Sequence, residues 1–326
     1  MANRRHILYG LVGLAVGLGA GYAIARSLPP AGEVAGELTS VRQSGQQFTN
    51  PLLECEVAEG RINRELVGFR PKIEQYVSQL KTREGVTEMA VYFRELNNGW
   101  WFGLNEQESF IPASLLKVPV MMAYFRAAES DPSLLEREIT VEKVYPLDPG
   151  YSQHLKPSQE ISLGQTYTVA ELVEHLIVHS DNQATRLLHE QINPELIRDV
   201  YRQLGVPATL VDQAGTLTVK QYAAFFRILF NASYLNREYS EQALEILSRV
   251  EFDQGLRVGV PAEVPVAHKF GEAGSFKSFI QLHDCGIVYY PGHPYLLCLM
   301  TRGQNLDALT RALADTSRMV YEEVDS

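Results

Sequence analysis

Cysteine and positive charge are both scarce in this 326-residue chain. Its three cysteines, Cys55, Cys285 and Cys298, include no C-x-x-C pair, which excludes a zinc ribbon and a thioredoxin-type redox centre. Lysine and arginine number 29 against 39 acidic residues, a formal net charge of −10. A chain so balanced lacks the basic face of a non-specific nucleic-acid binder. No internal repeat is present, which excludes solenoids and propellers. His175 and His179 stand four apart, but Leu176-Ile177-Val178 between them lacks a zincin's glutamate, so they read as structural or surface residues. No metal and no organic cofactor is expected.

Cys55 does not suit a lipid anchor, because Leu52-Leu53-Glu54 puts a carboxylate where processing wants a small residue. Cys285 and Cys298 flank a turn signal, Pro291-Gly292-His293-Pro294, that can bring them near each other. The reading favoured for them is two small buried apolar residues without a bond.

What is present begins with a long uncharged run. Arg4 and Arg5 precede 19 residues, Ile7 to Ala25, without a charge, about the length that spans a bilayer core as a helix. Residues 1–28 therefore read as a membrane anchor, or as a signal cleaved near Ala23-Ile24-Ala25. The basic front predicts a cytoplasmic N-terminus and an extracytoplasmic remainder. Pro29-Pro30 ends the run, and residues 29–50, rich in Gly, Ser and Gln, read as a linker. The chain as a whole is 45% hydrophobic, enough for one large core, and residues 51–326 read as a single domain.

Within that domain, apolar spacing predicts a helix over Leu66–Leu80, and strands over Met89–Leu96 and Trp100–Leu104 around Asn97-Asn98-Gly99. An almost wholly apolar helix runs from Ala113 to Glu129. Further helices fall at Val169–Ser180, Glu195–Leu204, Val219–Phe230 and Ser240–Val250. Strands follow at Ala267–Phe270, Phe276–Tyr290 and Tyr295–Arg302, with a closing helix over Leu306–Val324. The order predicts an α+β fold: an antiparallel sheet from both chain ends, flanked by helices, with an inserted all-helical lobe and a cleft between.

Three short motifs carry chemistry. Ser114 and Lys117 are i and i+3, so they share one helix face, and the positive end of the helix beside Ser114 favours an oxyanion there. A lysine inside an apolar helix is pushed towards neutrality and can take the serine proton. Ser180-Asp181-Asn182 ends a helix. Lys269 lies on a strand and is followed by Phe270 and Gly271, where the glycine permits close backbone approach.

Ser-x-x-Lys, Ser-Asp-Asn and Lys-x-Gly, in that order and separated by 66 and 89 residues, form the signature set of class A β-lactamases and penicillin-binding proteins. From about Leu66 to Val324 the chain resembles that family. The resemblance implies catalytic roles for Ser114 (nucleophile), Lys117 (base), Ser180 (proton relay) and Lys269. It implies that Asn182 holds the substrate side chain, that Gly271 and Glu272 belong to the substrate-binding edge, and that the backbone N–H groups of Ser114 and Glu272 form an oxyanion hole. The substrate class implied is a β-lactam or a cell-wall peptide, including the reading as a D-Ala-D-Ala peptidase or transpeptidase. A non-catalytic wall-peptide binder is the alternative from another class.

Two departures stand out. Phe270 occupies the middle of the third motif, where the family has a Thr or Ser hydroxyl for the substrate carboxylate. The ring is expected to remove that bond and to narrow the cleft. The stretch Leu204–Lys220 has no glutamate to prepare a deacylating water, and its one acid, Asp212, reads as a turn cap. Acylation machinery without a deacylation base predicts slow release.

Overall fold

Strands that must bury both faces carry apolar residues without interruption, and Tyr295–Gly303 is such a strand. Its odd residues Tyr295, Leu297 and Leu299 enter one core, and its even residues Leu296, Cys298 and Met300 enter another. The computed structural model describes residues 36–42, 45–59, 69–83, 85–146, 154–207, 215–274 and 279–326. The chain divides into two compact units, Met1–Glu37 with Val57–Ile62, and Leu38–Glu56 with Asn63–Ser326. The second unit carries the candidate site. The 19-residue run at the N-terminus lies outside the described residues, and among the described residues no helix is long and apolar enough to cross a membrane.

The elements are, in order, β1 (Gly36–Arg42), β2 (Leu52–Glu59), α1 (Phe69–Arg83), β3 (Val86–Glu95), β4 (Trp101–Leu104), β5 (Ser109–Phe110), a 3-10 turn at Ala113–Leu116, and α2 (Lys117–Ala128). There follow β6 (Glu138–Thr140), β7 (Thr166–Thr168), α3 (Val169–Ile177), α4 (Asn182–Gln191), α5 (Pro194–Gln203), β8 (Leu217–Thr218), α6 (Val219–Phe230) and α7 (Arg237–Leu247). The chain closes with β9 (Val266–Gly274), β10 (Ile280–Val288), β11 (Tyr295–Gly303) and α8 (Leu306–Val324). The strand β1, within the stretch read as a linker, forms a two-stranded sheet with β2.

The main sheet has the order β4-β3-β11-β10-β9. Every pairing in it is antiparallel. Both chain ends thus contribute to one sheet and the helical middle is inserted, as the element order predicts. One core joins Phe69 of α1, Phe93 of β3, Leu299 of β11 and Leu309 of α8. The other joins Met300 of β11 to α2, α3 and α6 through Met121, Leu172 and Phe226. Phe69 meets Phe93 and Phe102 edge-on, at 5.7 and 4.9 Å between ring centroids, an arrangement that adds to simple burial.

Cys285 and Cys298 face each other across β10 and β11 and are joined as a disulfide. This corrects the unbonded reading. The hairpin register, not the turn alone, sets the two side chains opposite each other. Near the front of the second unit the backbone N–H groups of Gln47, Phe48 and Thr49 all donate to the Glu241 carboxylate, at 2.8, 2.8 and 2.6 Å. Phe48 is buried against Tyr289, whose hydroxyl donates to the Phe48 carbonyl at 3.1 Å. The chain therefore docks onto α7 before it enters the rest of the unit.

Candidate active site

Ser114 does not open a regular α-helix. It sits in a 3-10 turn directly after Pro112 and Ala113, and the α-helix starts at Lys117. The cause is Pro119, which has no N–H to donate to the carbonyl four residues earlier. That carbonyl, on Leu115, instead accepts the buried hydroxyl of Tyr222 at 2.9 Å. Two side chains of β10 grip Ile111 just upstream. The Gln281 Oε1 accepts the Ile111 N–H at 3.0 Å, and His283 Nε2 donates to the Ile111 carbonyl at 3.0 Å. Burial pushes the His283 imidazole down to about 4, so it is neutral at ordinary pH, consistent with Nδ1 accepting the Thr301 N–H at 3.3 Å.

Ala113 and Ser180 both have positive φ, 49° and 55°. Each costs on the order of 1–3 kcal/mol for a residue with a Cβ. Strain at both residues holds the backbone where ordinary dihedrals would not put it. At Ser180 the turn lets Asp181 begin α4 directly. Its Oδ1 caps the helix by accepting the Gln183 and Ala184 N–H groups at 2.7 and 3.2 Å.

The three motifs meet at the Ser180 hydroxyl. Lys117 Nζ donates to Ser180 Oγ at 3.1 Å, and Lys269 Nζ donates to the same oxygen at 3.0 Å. Lys117 also donates to the Ser180 carbonyl at 2.5 Å and to Asn182 Oδ1 at 2.9 Å. Both lysines are buried, and both are held below the ordinary lysine range. Loss of hydration brings Lys117 down to about 7, against the opposing pull of Asp181 and Glu160. Loss of hydration and the neighbouring Lys117 charge lower Lys269, against the pull of Asp284. Two cations on one hydroxyl repel, so the arrangement favours one proton shared over two ammonium groups. The acceptors around Lys117 favour its charged form and burial favours its neutral form, and a value near 7 leaves both accessible. Such a group can accept a proton from Ser114 and pass one through Ser180.

The family model for the beta-lactamase enzyme family matches residues 71–324. The chain belongs to that family. No curated protein sequence matches it. Among solved structures, PBP-A is 22% identical with a TM-score of 0.65, covering 80% of this chain and 97% of PBP-A. A point mutant of PBP-A in an acyl-enzyme complex with penicillin G is 21% identical with the same TM-score and the same coverage. A class A β-lactamase from Mycobacterium abscessus is 25% identical with a TM-score of 0.63, covering 78% of this chain and 100% of the other. The α+β, β-lactamase-like fold expected from the sequence is thereby established.

Within this β-lactamase-family fold, β9 is an edge strand of the main sheet and packs against the 3-10 turn that carries Ser114. Gly271 lies against the 3-10 turn, where an added Cβ would fall 2.8 Å from the Pro112 carbonyl and 3.1 Å from the Leu115 nitrogen. The close approach expected for this glycine is therefore real. Phe270 is 7% exposed. Its ring stacks on Phe252 at 4.3 Å between centroids, and Lys269 Nζ lies over the same ring, 4.1 Å from its centroid. The ring is therefore packed between the core and the lysine that reaches Ser180.

Glu272 carries a side-chain role that sequence reasoning missed. Its buried carboxylate accepts the backbone N–H of His154 at 3.0 and 3.1 Å and that of Leu155 at 2.8 Å, and contacts His154 Nδ1 at 2.5 Å. The strap that starts there runs to Ile161, whose N–H donates to Asp181 Oδ2 at 2.7 Å. His179 holds it midway through Ser158 Oγ at 2.9 Å. His175 and His179 thus stand against the strap and Asp181, with His175 Nδ1 3.5 Å from Asp181 Oδ2. Among the described residues, no group of three His, Cys, Asp or Glu is arranged to hold a metal ion. Asp212 lies outside the described residues.

Proposed function

We propose that the chain is an exported serine hydrolase that forms an acyl-enzyme with β-lactams or related amides. One observation carries this reading: the Ser180 hydroxyl receives hydrogen bonds from both Lys117 and Lys269. In the reaction, Lys117 takes the Ser114 proton as Oγ bonds to the carbonyl carbon. The backbone N–H groups of Ser114 and Glu272 receive the oxyanion. As the C–N bond breaks, Ser180 gives its proton to the nitrogen and is reprotonated from Lys117, so the serine proton ends on the leaving group. Asn182 orients Lys117 and holds the acyl side chain, and Lys269 keeps Ser180 aligned.

Release of the acyl group requires water, whose hydroxyl goes to the acyl carbon and whose proton returns to Ser114. Leu204–Lys220 contains no glutamate to prepare that water, so the acyl-enzyme is long-lived. The penicillin G complex of a PBP-A mutant supports the same class of intermediate here. The disulfide supports an oxidising compartment, and the uncharged N-terminal run supports membrane attachment with the domain outside.

A fluorescent penicillin and intact-mass spectrometry test the proposal. The expected result is a single, slowly formed and slowly lost adduct on Ser114, absent in Ser114→Ala. Rapid multiple-turnover nitrocefin hydrolysis would refute the slow release. No adduct under any condition would favour a wall-peptide binder.

A further inference from the structure

A buried acid behind β9 has no part in the reaction as written above. Asp284 of β10 is fully buried, on the face of the sheet that holds Leu282 and Phe270. An apolar residue would fill that place at no electrostatic cost, so an ionisable one there calls for a reason. Both carboxylate oxygens are engaged. His268 Nδ1 lies 2.8 Å from Oδ1 and 3.1 Å from Oδ2, and the Leu256 N–H donates to Oδ2 at 2.8 Å. Leu256 is tied in turn to α8, where the Ser317 hydroxyl donates to its carbonyl at 2.8 Å. Gly255 lets this segment come so close, since an added Cβ there would collide with Asp284 Oδ2.

The two residues that flank Lys269 in the chain are thus both set by Asp284. His268 is bonded to it, and Phe270 stands opposite it in the β9–β10 register. Phe270 is also the seat of the lysine, whose Nζ lies 4.1 Å from the ring centroid and donates to the Phe270 carbonyl at 3.3 Å. From that seat Lys269 reaches Ser180. The charge of Asp284 acts on Lys269 and on Tyr222 of α6, and at Lys269 it opposes burial and the Lys117 charge. Lys117 itself faces Asp181 and Glu160. A proton on one lysine disfavours a proton on the other, so a group that favours it on Lys269 frees Lys117 of it. We propose that Asp284, oriented by His268, is a positioning residue for acylation: it seats Lys269 against Ser180 from behind the strand and draws the shared proton to that lysine, which leaves Lys117 free to act as base. The inference rests on the acyl-enzyme reading and adds a supporting pair to the same site.

Asp284→Asn tests it, because the amide keeps the size of the side chain and an acceptor for Leu256 while removing the charge. The rate of Ser114 acylation by a fluorescent penicillin is followed between about pH 5 and 9. The acid limb, set by Lys117 at about 7, should move to higher pH by about half a unit, a roughly threefold slower rate on that limb. His268→Asn, which takes away the ring that orients the carboxylate, should move the limb the same way by less. A purely structural role lowers the melting temperature and leaves the limb in place. That result in folded Asp284→Asn, or a limb moved to lower pH, overturns the proposal, and His268→Asn decides by the same criterion if Asp284→Asn does not fold. NMR titration of lysines labelled with carbon-13 at the ε position reads the proton directly: the Lys117 midpoint should rise and that of Lys269 should fall. Lysine midpoints that do not move overturn the inference whatever the penicillin result. Midpoints that move as expected, with no adduct on Ser114 in the unsubstituted protein, uphold the pair and overturn the acyl-enzyme reading instead.

Discussion

Lys269 and Glu272 stand three residues apart on one edge strand, and the two ends of that stretch differ in kind. At the Lys269 end, Lys117, Ser180 and Asn182 converge on one hydroxyl, with every contact set by burial and by strained backbone at Ser180. At the Glu272 end, the carboxylate accepts the backbone N–H groups of His154 and Leu155 and so holds the strap. The first end gathers the titratable groups on which the proposed proton transfers depend, and the second fastens a neighbouring segment. The difference teaches that residues three apart on one strand can be committed separately to chemistry and to architecture.

The comparison breaks most decisively at the nucleophile. Ser114→Ala should abolish covalent labelling, and any adduct that survives, located by peptide mapping, would show that the Lys269 end serves some other group. Next in size, Ser180→Ala should slow acylation roughly 10²- to 10³-fold, the usual worth of a positioned proton carrier, read as a pseudo-first-order labelling rate. A change under threefold would mean that the two lysines do not work through that hydroxyl.

The pH profile sharpens the same end. Lys117 must be neutral to accept a proton, and its value is lowered to about 7. The acylation rate should therefore rise about tenfold per pH unit below that point and level off above it. A profile flat from pH 5 to 8 would contradict the assignment of Lys117 as base.

At the other end, Phe270→Thr removes the stack on Phe252. Stability should fall by about 3 kcal/mol, as for large-to-small changes in a core. Denaturant midpoints read the change, and a loss under about 1 kcal/mol would contradict a tightly packed ring pair.

The smallest effect concerns the support beneath both ends. His283 is held at about 4 in the fold against an ordinary 6.5, so the unfolded chain binds its proton first. Its contribution to stability is complete above pH 6.5 and is lost as pH falls towards 4, by about 3 kcal/mol at most. His283→Gln should flatten that part of the stability–pH curve.

The convergence of Lys117 and Lys269 on Ser180 was legible because the motifs limit residue type and order. Ser114, Lys117, Ser180 and Lys269 have few substitutes, and an apolar helix around Lys117 already implies its low basicity. The sheet was legible too, since β3, β9, β10 and β11 follow from apolar runs and turn residues. What escaped depends on contacts between distant segments. The helix α4 was missed although Asp181 is a recognisable N-cap, because Ser-Asp-Asn also suits a turn. The 3-10 turn at Ser114 follows from Pro119 together with a hydroxyl that arrives from Tyr222, over one hundred residues later. The stack of Phe270 on Phe252 escaped because nothing local reveals Phe252 behind it. Glu272 was read for its backbone alone, since the strap it holds begins 118 residues earlier.

The grip of Glu241 on three successive amides also has a mechanical meaning. Tension arriving along the chain past the β1–β2 pair is met at Gln47, Phe48 and Thr49, where three charge-assisted bonds and a buried ring are loaded together. A pull must break that group as one unit before it reaches the sheet. A fusion partner joined upstream of Gln47 would hang from the same fastening, with the cleft left out of the load path.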